Sequence, residues 1–267
     1  MTVSNSAIKA TAKKIIKPSY VKNVVVSIVL IMLWFFCYNL SAVLSLIMGN
    51  LAFYIAIAIL SIFLFLPVCI GLLRYFWRLY CGQNDNVIEI FYYLKSKESY
   101  LKVTGFSLAF VLRAVLCFVI FSIPVYVLKL ITGTWLYSVL NVSIPIWTTN
   151  LSNIIVFLRI ISITATLIYT LKFYLAPMLF IADENNDIGE ALHLSAVICR
   201  RTFLDYVFLI FSFFGYFLLS LLTVPLIFIL PYIIVSYLIH CSIAVEDFND
   251  EIAKINQDDI PTFIAGV

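Results

Sequence analysis

Charge is what this sequence has least of. Asp, Glu, Lys and Arg make up 12% of its 267 residues, where a soluble domain carries about a quarter. No hydrophilic stretch is long enough to bury a core of its own, so a separate water-soluble domain is excluded. The six cysteines (Cys37, Cys69, Cys81, Cys117, Cys199, Cys241) have no C-x-x-C spacing. They read as small buried hydrophobes, not as a disulfide framework or a metal site. The two histidines, His193 and His240, have no partner at ligand spacing, and no metal is expected. There is no HExxH, P-loop, G-x-G-x-x-G in workable context, Ser/His/Asp set or paired-carboxylate cleft. No cofactor is expected, and the chain is not expected to be an enzyme. A membrane enzyme acting on lipids would need an acid or a His near headgroup level, and only His240 or Asp205 could serve.

Apolar side chain is what the sequence has instead, at 64% of residues and a mean hydropathy of +1.09. No soluble core of this length uses so much, and the excess must face lipid. Six segments, at about 23–47, 51–77, 103–128, 153–181, 204–222 and 226–245, are each long enough for a hydrocarbon core of roughly 30 Å. Helices are the open-ended solution, because lipid offers no partner to unpaired backbone groups. The expected fold is all-α, a six-span transmembrane helical bundle with short cytoplasmic interfacial helices. The expected organisation is a basic N-terminal interfacial helix over 1–22, one transmembrane domain over 23–247 and a short acidic tail over 248–267. The first apolar run, Val24 to Ile47, is too long for a cleavable signal and reads as a retained span.

Lys and Arg set the orientation. Five precede the first span, five lie between Arg74 and Lys102, and Arg200, Arg201 and Lys254 bring one side to thirteen of seventeen. Lys129 stands on the other side, and Arg113, Arg159 and Lys172 fall within spans. That asymmetry places both termini in the cytoplasm of a cell with an inner membrane. Trp135, Tyr137 and Trp147, in the outer loop 129–152, sit where amphipathic rings favour headgroups.

The short polar segments carry helix signals. Ile8, Ala12 and Ile15 share one face of residues 6–17, Lys9, Lys13 and Lys17 recur on the other, and Pro18 predicts a stop. Asp187 and Glu190 form a D-x-x-E capping box, and Asn86 and Glu89 occupy the same place between two earlier spans. Setting residues 84–89 against 185–190 gives a weak parallel internal duplication.

Arg113 is the sharpest single feature, about ten residues into the third span and near mid-bilayer. A charge there costs at least about 2.5–3.5 kcal/mol on insertion scales, so it should face the bundle interior or water. It reads either as an anion or gating site or as a buried structural link. Lys172 and Arg159 are the other polar intramembrane candidates, Arg159 being near enough the outer end to snorkel. Ser162, Thr164, Thr166 and Thr170 give the fourth span its polar face. Pro67, Pro177, Pro225 and Pro231 interrupt spans, and Tyr216 and Tyr232 stand ready to satisfy carbonyls freed nearby.

The second half carries a set of short motifs in a fixed order. They are Lys172-Phe-Tyr174, Asp183, Gly189-Glu190-Ala191 with Ser195, Ser212-Phe-Phe-Gly215-Tyr216, and Pro231-Tyr232. Ala12-Lys13, Gly71 with Arg78, and Glu89-Ile-Phe91 match more loosely in the first half. In this order they resemble an uncharacterised family of bacterial multi-pass membrane proteins catalogued as domain of unknown function 975. That family is related more distantly to the membrane domain of some glycerophosphodiester phosphodiesterases. The sequence departs from the pattern at Glu184-Asn185, Cys199-Arg200-Arg201 and Tyr216. The resemblance implies a six-span bundle and confers no catalytic residue. The resulting expectation is a non-enzymatic envelope or lipid-associated accessory, or a membrane-complex subunit. The alternative is a small transporter or channel with a polar pathway near Arg113 and Lys172. Expected partners are the lipid bilayer, other membrane proteins or a second copy of the chain, with no nucleic acid.

Overall fold

Ten α-helices, joined by 3-10 and π turns, account for nearly all of the chain described by the computed structural model, which covers residues 4–83, 86–131, 148–182, 187–220 and 223–258. In order they are α1 (Asn5–Ile16), α2 (Tyr20–Met48), α3 (Asn50–Leu60), α4 (Leu66–Tyr80), α5 (Lys97–Ile131), α6 (Thr148–Thr170), α7 (Ala176–Ala182), α8 (Ile188–Ser212), α9 (Phe214–Ser220) and α10 (Thr223–Asp258). Among the described residues there is no strand. Among the described residues, five helical stretches are long and apolar enough to cross a membrane: Asn5–Met48, Asn50–Tyr80, Lys97–Leu130, Asn153–Ala182 and Pro225–Asp250.

The described part of 204–222, residues 204–220, does not form a sixth stretch of this kind. The short polar helix expected after Asp187 and the apolar segment after it are one helix, α8, which ends at Ser212. Phe213 then leaves helical geometry (φ −96°, ψ 2°), and α9 restarts the chain. The duplicated blocks also differ where they are described. Val87–Leu94 winds as a 3-10 helix, whereas Ile188 opens an α-helix of 25 residues. The outer-loop aromatics Trp135, Tyr137 and Trp147 lie outside the described residues, as does Asp183.

The chain divides into two compact units, one of Met1–Ser107 with Leu175–Val267 and one of Leu108–Tyr174. In the first, α2 and α3 form the tight hairpin read from the sequence, and its turn is Gly49 alone. Gly49 has φ +87°, a left-handed value that favours glycine. Trp34 meets Phe65 at 5.1 Å and Tyr38 meets Phe53 at 5.6 Å across the hairpin.

Prolines shape the first unit, each with its own compensation. Pro67 has no N–H for the carbonyl of Phe63, four residues back, and the chain passes through a π turn at Ser61–Phe65. The Tyr100 hydroxyl donates to that carbonyl at 2.9 Å. At Pro177 the ladder loosens into the 3-10 turn Leu171–Phe173, and the Leu175 N–H donates to the buried Ser195 Oγ at 3.2 Å. The stop that Pro18 predicts is a single 3-10 turn, Lys17–Ser19, which carries α1 into α2. Buried Asn23 braces that turn. Its Nδ2 donates to Ser19 Oγ at 3.3 Å and its Oδ1 accepts from the Tyr75 hydroxyl of α4 at 3.1 Å.

The 3-10 segment Val87–Leu94 lies along α4 at very close range. Ile90 is buried, and its carbonyl occupies the space a Cβ on Gly71 would need. Arg74, one turn further along α4, stacks its guanidinium 3.4 Å over the Tyr92 ring. Phe180 of α7 completes the layer, stacked on Phe106 at 4.5 Å and 6.4 Å from Tyr93.

Candidate functional site

Three helices of the first unit enclose a polar cavity. In α1, Ile8, Ala12 and Ile16 recur every fourth residue and are buried. The apolar face was read as Ile8, Ala12 and Ile15, but Ile15 is only half-buried. In α8, Thr202, Asp205, Phe208 and Ser212 follow one another at helical spacing, and α10 contributes His240 and Asp247. Ser4, Asn5 and Ile8, with these residues of α8 and α10, line an open cavity of about 560 Å³. His240 is 6% exposed, its ring 5.8 Å from that of Tyr206. Asp205 and His240, the acid and the His the sequence allowed for a lipid site, share this wall.

Lys9 reaches Ser212, one of the residues that line the cavity. Its spacing places it on the solvent face of α1, yet its ammonium donates to the Ser212 carbonyl at 2.6 Å and lies 4.3 Å above the Phe213 ring. Ser212 is the last residue of α8, so a cation from another helix meets the negative end of the α8 dipole. Phe213, Tyr216 and Tyr232 form the aromatic floor, at 5.5–5.8 Å between centroids. No separation in sequence short enough to read by eye links Lys9 with Ser212; the amphipathic pattern of α1 was the available signal.

The capping positions sit at helix starts, but their side chains do other work or none. Asp187 and Asn86 have the extended backbone of an N-cap and make no side-chain capping bond. Glu190 is exposed in the first turn of α8, where its charge suits the dipole. Glu89 accepts from Lys95 at 2.6 Å and lies 4.0 Å from Arg78, whose Nε donates to Gln83 Oε1 at 2.8 Å. The Arg74–Tyr92 stack beside it had no sequence signal beyond the Arg74, Arg78 spacing.

In the second unit, Ser162 links α6 to α5. Arg113 is exposed, with its guanidinium 5.5 Å from the Phe173 ring. Lys172 is exposed as well, 5.1 Å from the Tyr169 ring, and Arg159 is exposed. The hydroxyls expected to form a polar face are committed to backbone. Buried Ser162 lies 2.7 Å from the Phe121 carbonyl and 2.9 Å from that of Leu158. Thr166 donates to the Ser162 carbonyl at 2.8 Å and Thr170 to that of Leu167 at 2.9 Å. Thr164 is exposed on another side of the helix. Pro124 within α5 has no N–H for the Ile120 carbonyl, the neighbour of the Phe121 carbonyl that Ser162 reaches.

What these features define as a class is an all-helical protein with several helices fit to cross a membrane. Comparison with protein-family models, curated proteins and solved structures gave no match.

Proposed function

We propose that the chain is a non-enzymatic, multi-pass membrane accessory, working as a subunit of a larger membrane assembly. In this reading it crosses the inner membrane six times with both termini in the cytoplasm. The second half of α8, the turn at Phe213 and α9 together make the fifth crossing. The resemblance of its motif order to domain of unknown function 975 supports a bacterial protein of this kind. The observation that carries the reading is the placement of polar groups in the second unit. Ser162, Thr166 and Thr170 spend their hydroxyls on carbonyls, while Arg113 and Lys172 stand on the exterior. A transport pathway needs hydroxyls and cations facing one wet lumen; a subunit surface needs cations facing outward. The test is native electrophoresis of membranes solubilised in mild detergent. The chain is expected to migrate with a second polypeptide, well above its own 30.4 kDa. Migration alone in every mild detergent would overturn the proposal.

The cavity favours a second reading, an enzyme acting on lipid headgroups, because Asp205 and buried His240 line one wall. Purified protein incubated with labelled phospholipid decides it. Turnover lost in both Asp205→Asn and His240→Ala would support that reading, and absence of turnover in the unaltered protein would remove it.

A further inference from the structure

The exterior of the second unit has an unusual charge inventory. Residues 108–174 contain four cations, Arg113, Lys129, Arg159 and Lys172, and not one acid. Arg113 stands at the middle of α5, 16 residues after Lys97 and 18 before Ile131. At 1.5 Å per residue its backbone is about 24 Å and 27 Å from the two ends of the helix. Lys102 and Lys129, the cations flanking it along α5, are about 16 and 24 Å away by the same rise. Snorkelling brings a cation to phosphates from near a span's end, not from its centre. The Phe173 ring gives the guanidinium one apolar-side contact and no counter-charge. Among the described residues Arg113 makes no ion pair.

A guanidinium exposed at that depth needs a carboxylate delivered at the same depth. The chain itself has none to offer from a second copy. No acid occurs before Asp85 or between Glu98 and Asp183, Asp205 stands at the edge of the apolar second half of α8, and those of Pro225–Asp250 begin at Glu246. All five long apolar stretches are therefore acid-free away from their ends. A lipid phosphate is held at the membrane surface, a full half-thickness from Arg113.

We propose that Arg113 is the docking point for a transmembrane helix of a different protein that carries an Asp or Glu near its middle. This rests on the reading of the chain as a subunit and specifies the partner's chemistry. Pairing the two charges inside the hydrocarbon offsets part of the insertion cost of each, and a helix without the acid leaves the guanidinium unpaired, which is what makes the surface selective. Arg113 is the anchor; exposed Leu112 and Leu116 on the same turns of α5 offer the partner helix apolar packing.

The test uses the full chain in nanodiscs of zwitterionic lipid and a designed poly-leucine transmembrane peptide with one central Asp. Association is read by fluorescence transfer. The Asp peptide is expected to bind at least about tenfold more tightly than its Leu counterpart, the worth of one charge-assisted hydrogen bond. Arg113→Leu should erase that advantage, Arg113→Lys should keep most of it, and Arg159→Leu should leave it unchanged. Because Arg113→Leu could fail by misfolding, Arg113→Asp is paired with a peptide carrying a central Lys, where binding should return. Equal binding of Asp and Leu peptides would overturn the proposal. So would an Asp-peptide advantage that appears only when Arg113 is absent, or one abolished by adding anionic lipid, which would assign the surface to lipid. If the Asp peptide binds through Arg113 but the native chain migrates alone, the surface stands and the subunit reading falls.

Discussion

Replacing Gly71 by Ala adds one methyl group to α4, and the structure leaves it nowhere to go. The new Cβ would collide with the backbone carbonyl of Ile90, not with the pliable end of a side chain. Either Val87–Leu94 lifts from α4 or the helix bends. Overpacking of this kind costs about 1–3 kcal/mol. Lifting the segment also separates Arg74 from the Tyr92 ring, a contact worth roughly 0.5–2 kcal/mol. Against this, Ala is the better helix former by about 1 kcal/mol. The net loss is then about 2 kcal/mol, or several degrees in the thermal midpoint of the detergent-solubilised protein. Gly105→Ala is the matched control. It gains the same propensity inside α5 and meets only the tip of Ile188 at 3.4 Å, so it should be neutral or stabilising. Hydrogen exchange supplies a local readout, since amides of residues 87–95 should exchange faster in Gly71→Ala and at the ordinary rate in Gly105→Ala. If the two variants melt together and the exchange of 87–95 is unchanged, the close approach of Ile90 to Gly71 is wrong.

Tyr100→Phe should cost about 0.5–1.5 kcal/mol, the range for an interhelical hydrogen bond to a carbonyl. In a Pro67→Ala background, where the helix can reclaim the Phe63 carbonyl, the same change should cost almost nothing, and a thermal-melt double-mutant cycle measures the difference. Asn23→Val leaves the Tyr75 hydroxyl buried without its acceptor and should destabilise by about 1–3 kcal/mol; Tyr75→Phe in the same background should recover part of that loss. Asp187→Ala should change the melting midpoint by well under the usual cost of about 1 kcal/mol for a lost N-cap, because its side chain makes no capping bond.

What the sequence made legible was whatever depends on a local period or on gross composition. Apolar length located α2, α4 and α5, and the Met48-Gly49-Asn50 hairpin came out with Gly49 at its turn. The α1 face was read correctly at Ile8 and Ala12 and missed by one position at Ile15. That error has a physical source. An interfacial helix on lipid would present one face, whereas α1 packs on α10 and buries Ile16. The capping box failed differently: D-x-x-E put Asp187 at the right backbone position, but pattern alone cannot say whether a carboxylate turns back to its helix. Lys9 and Ser212 could not be linked at all, because a helical period says nothing of partners 203 residues apart.

The prolines show how local and tertiary information meet. The sequence marks Pro67, Pro177, Pro225 and Pro231 as breaks that free carbonyls, and offers Tyr216 and Tyr232 for groups freed nearby. At Pro67 and before Pro177 the groups that make the repair are Tyr100 and Ser195, from other helices, while the two tyrosines pack with Phe213 under Lys9. In hydrocarbon a freed backbone group has no water to fall back on, so each break demands a donor or acceptor fixed at its own depth by another helix. Each proline therefore chooses its neighbour. Pro67 ties α4 to the start of α5, and the loosened turn before Pro177 ties that segment to α8, which is how separate apolar helices acquire particular partners without a water-driven core. Arg113 obeys the same rule with a charge in place of a carbonyl. It sits at a depth where its need must be met, and in a unit with no acid the answer has to come from outside the chain.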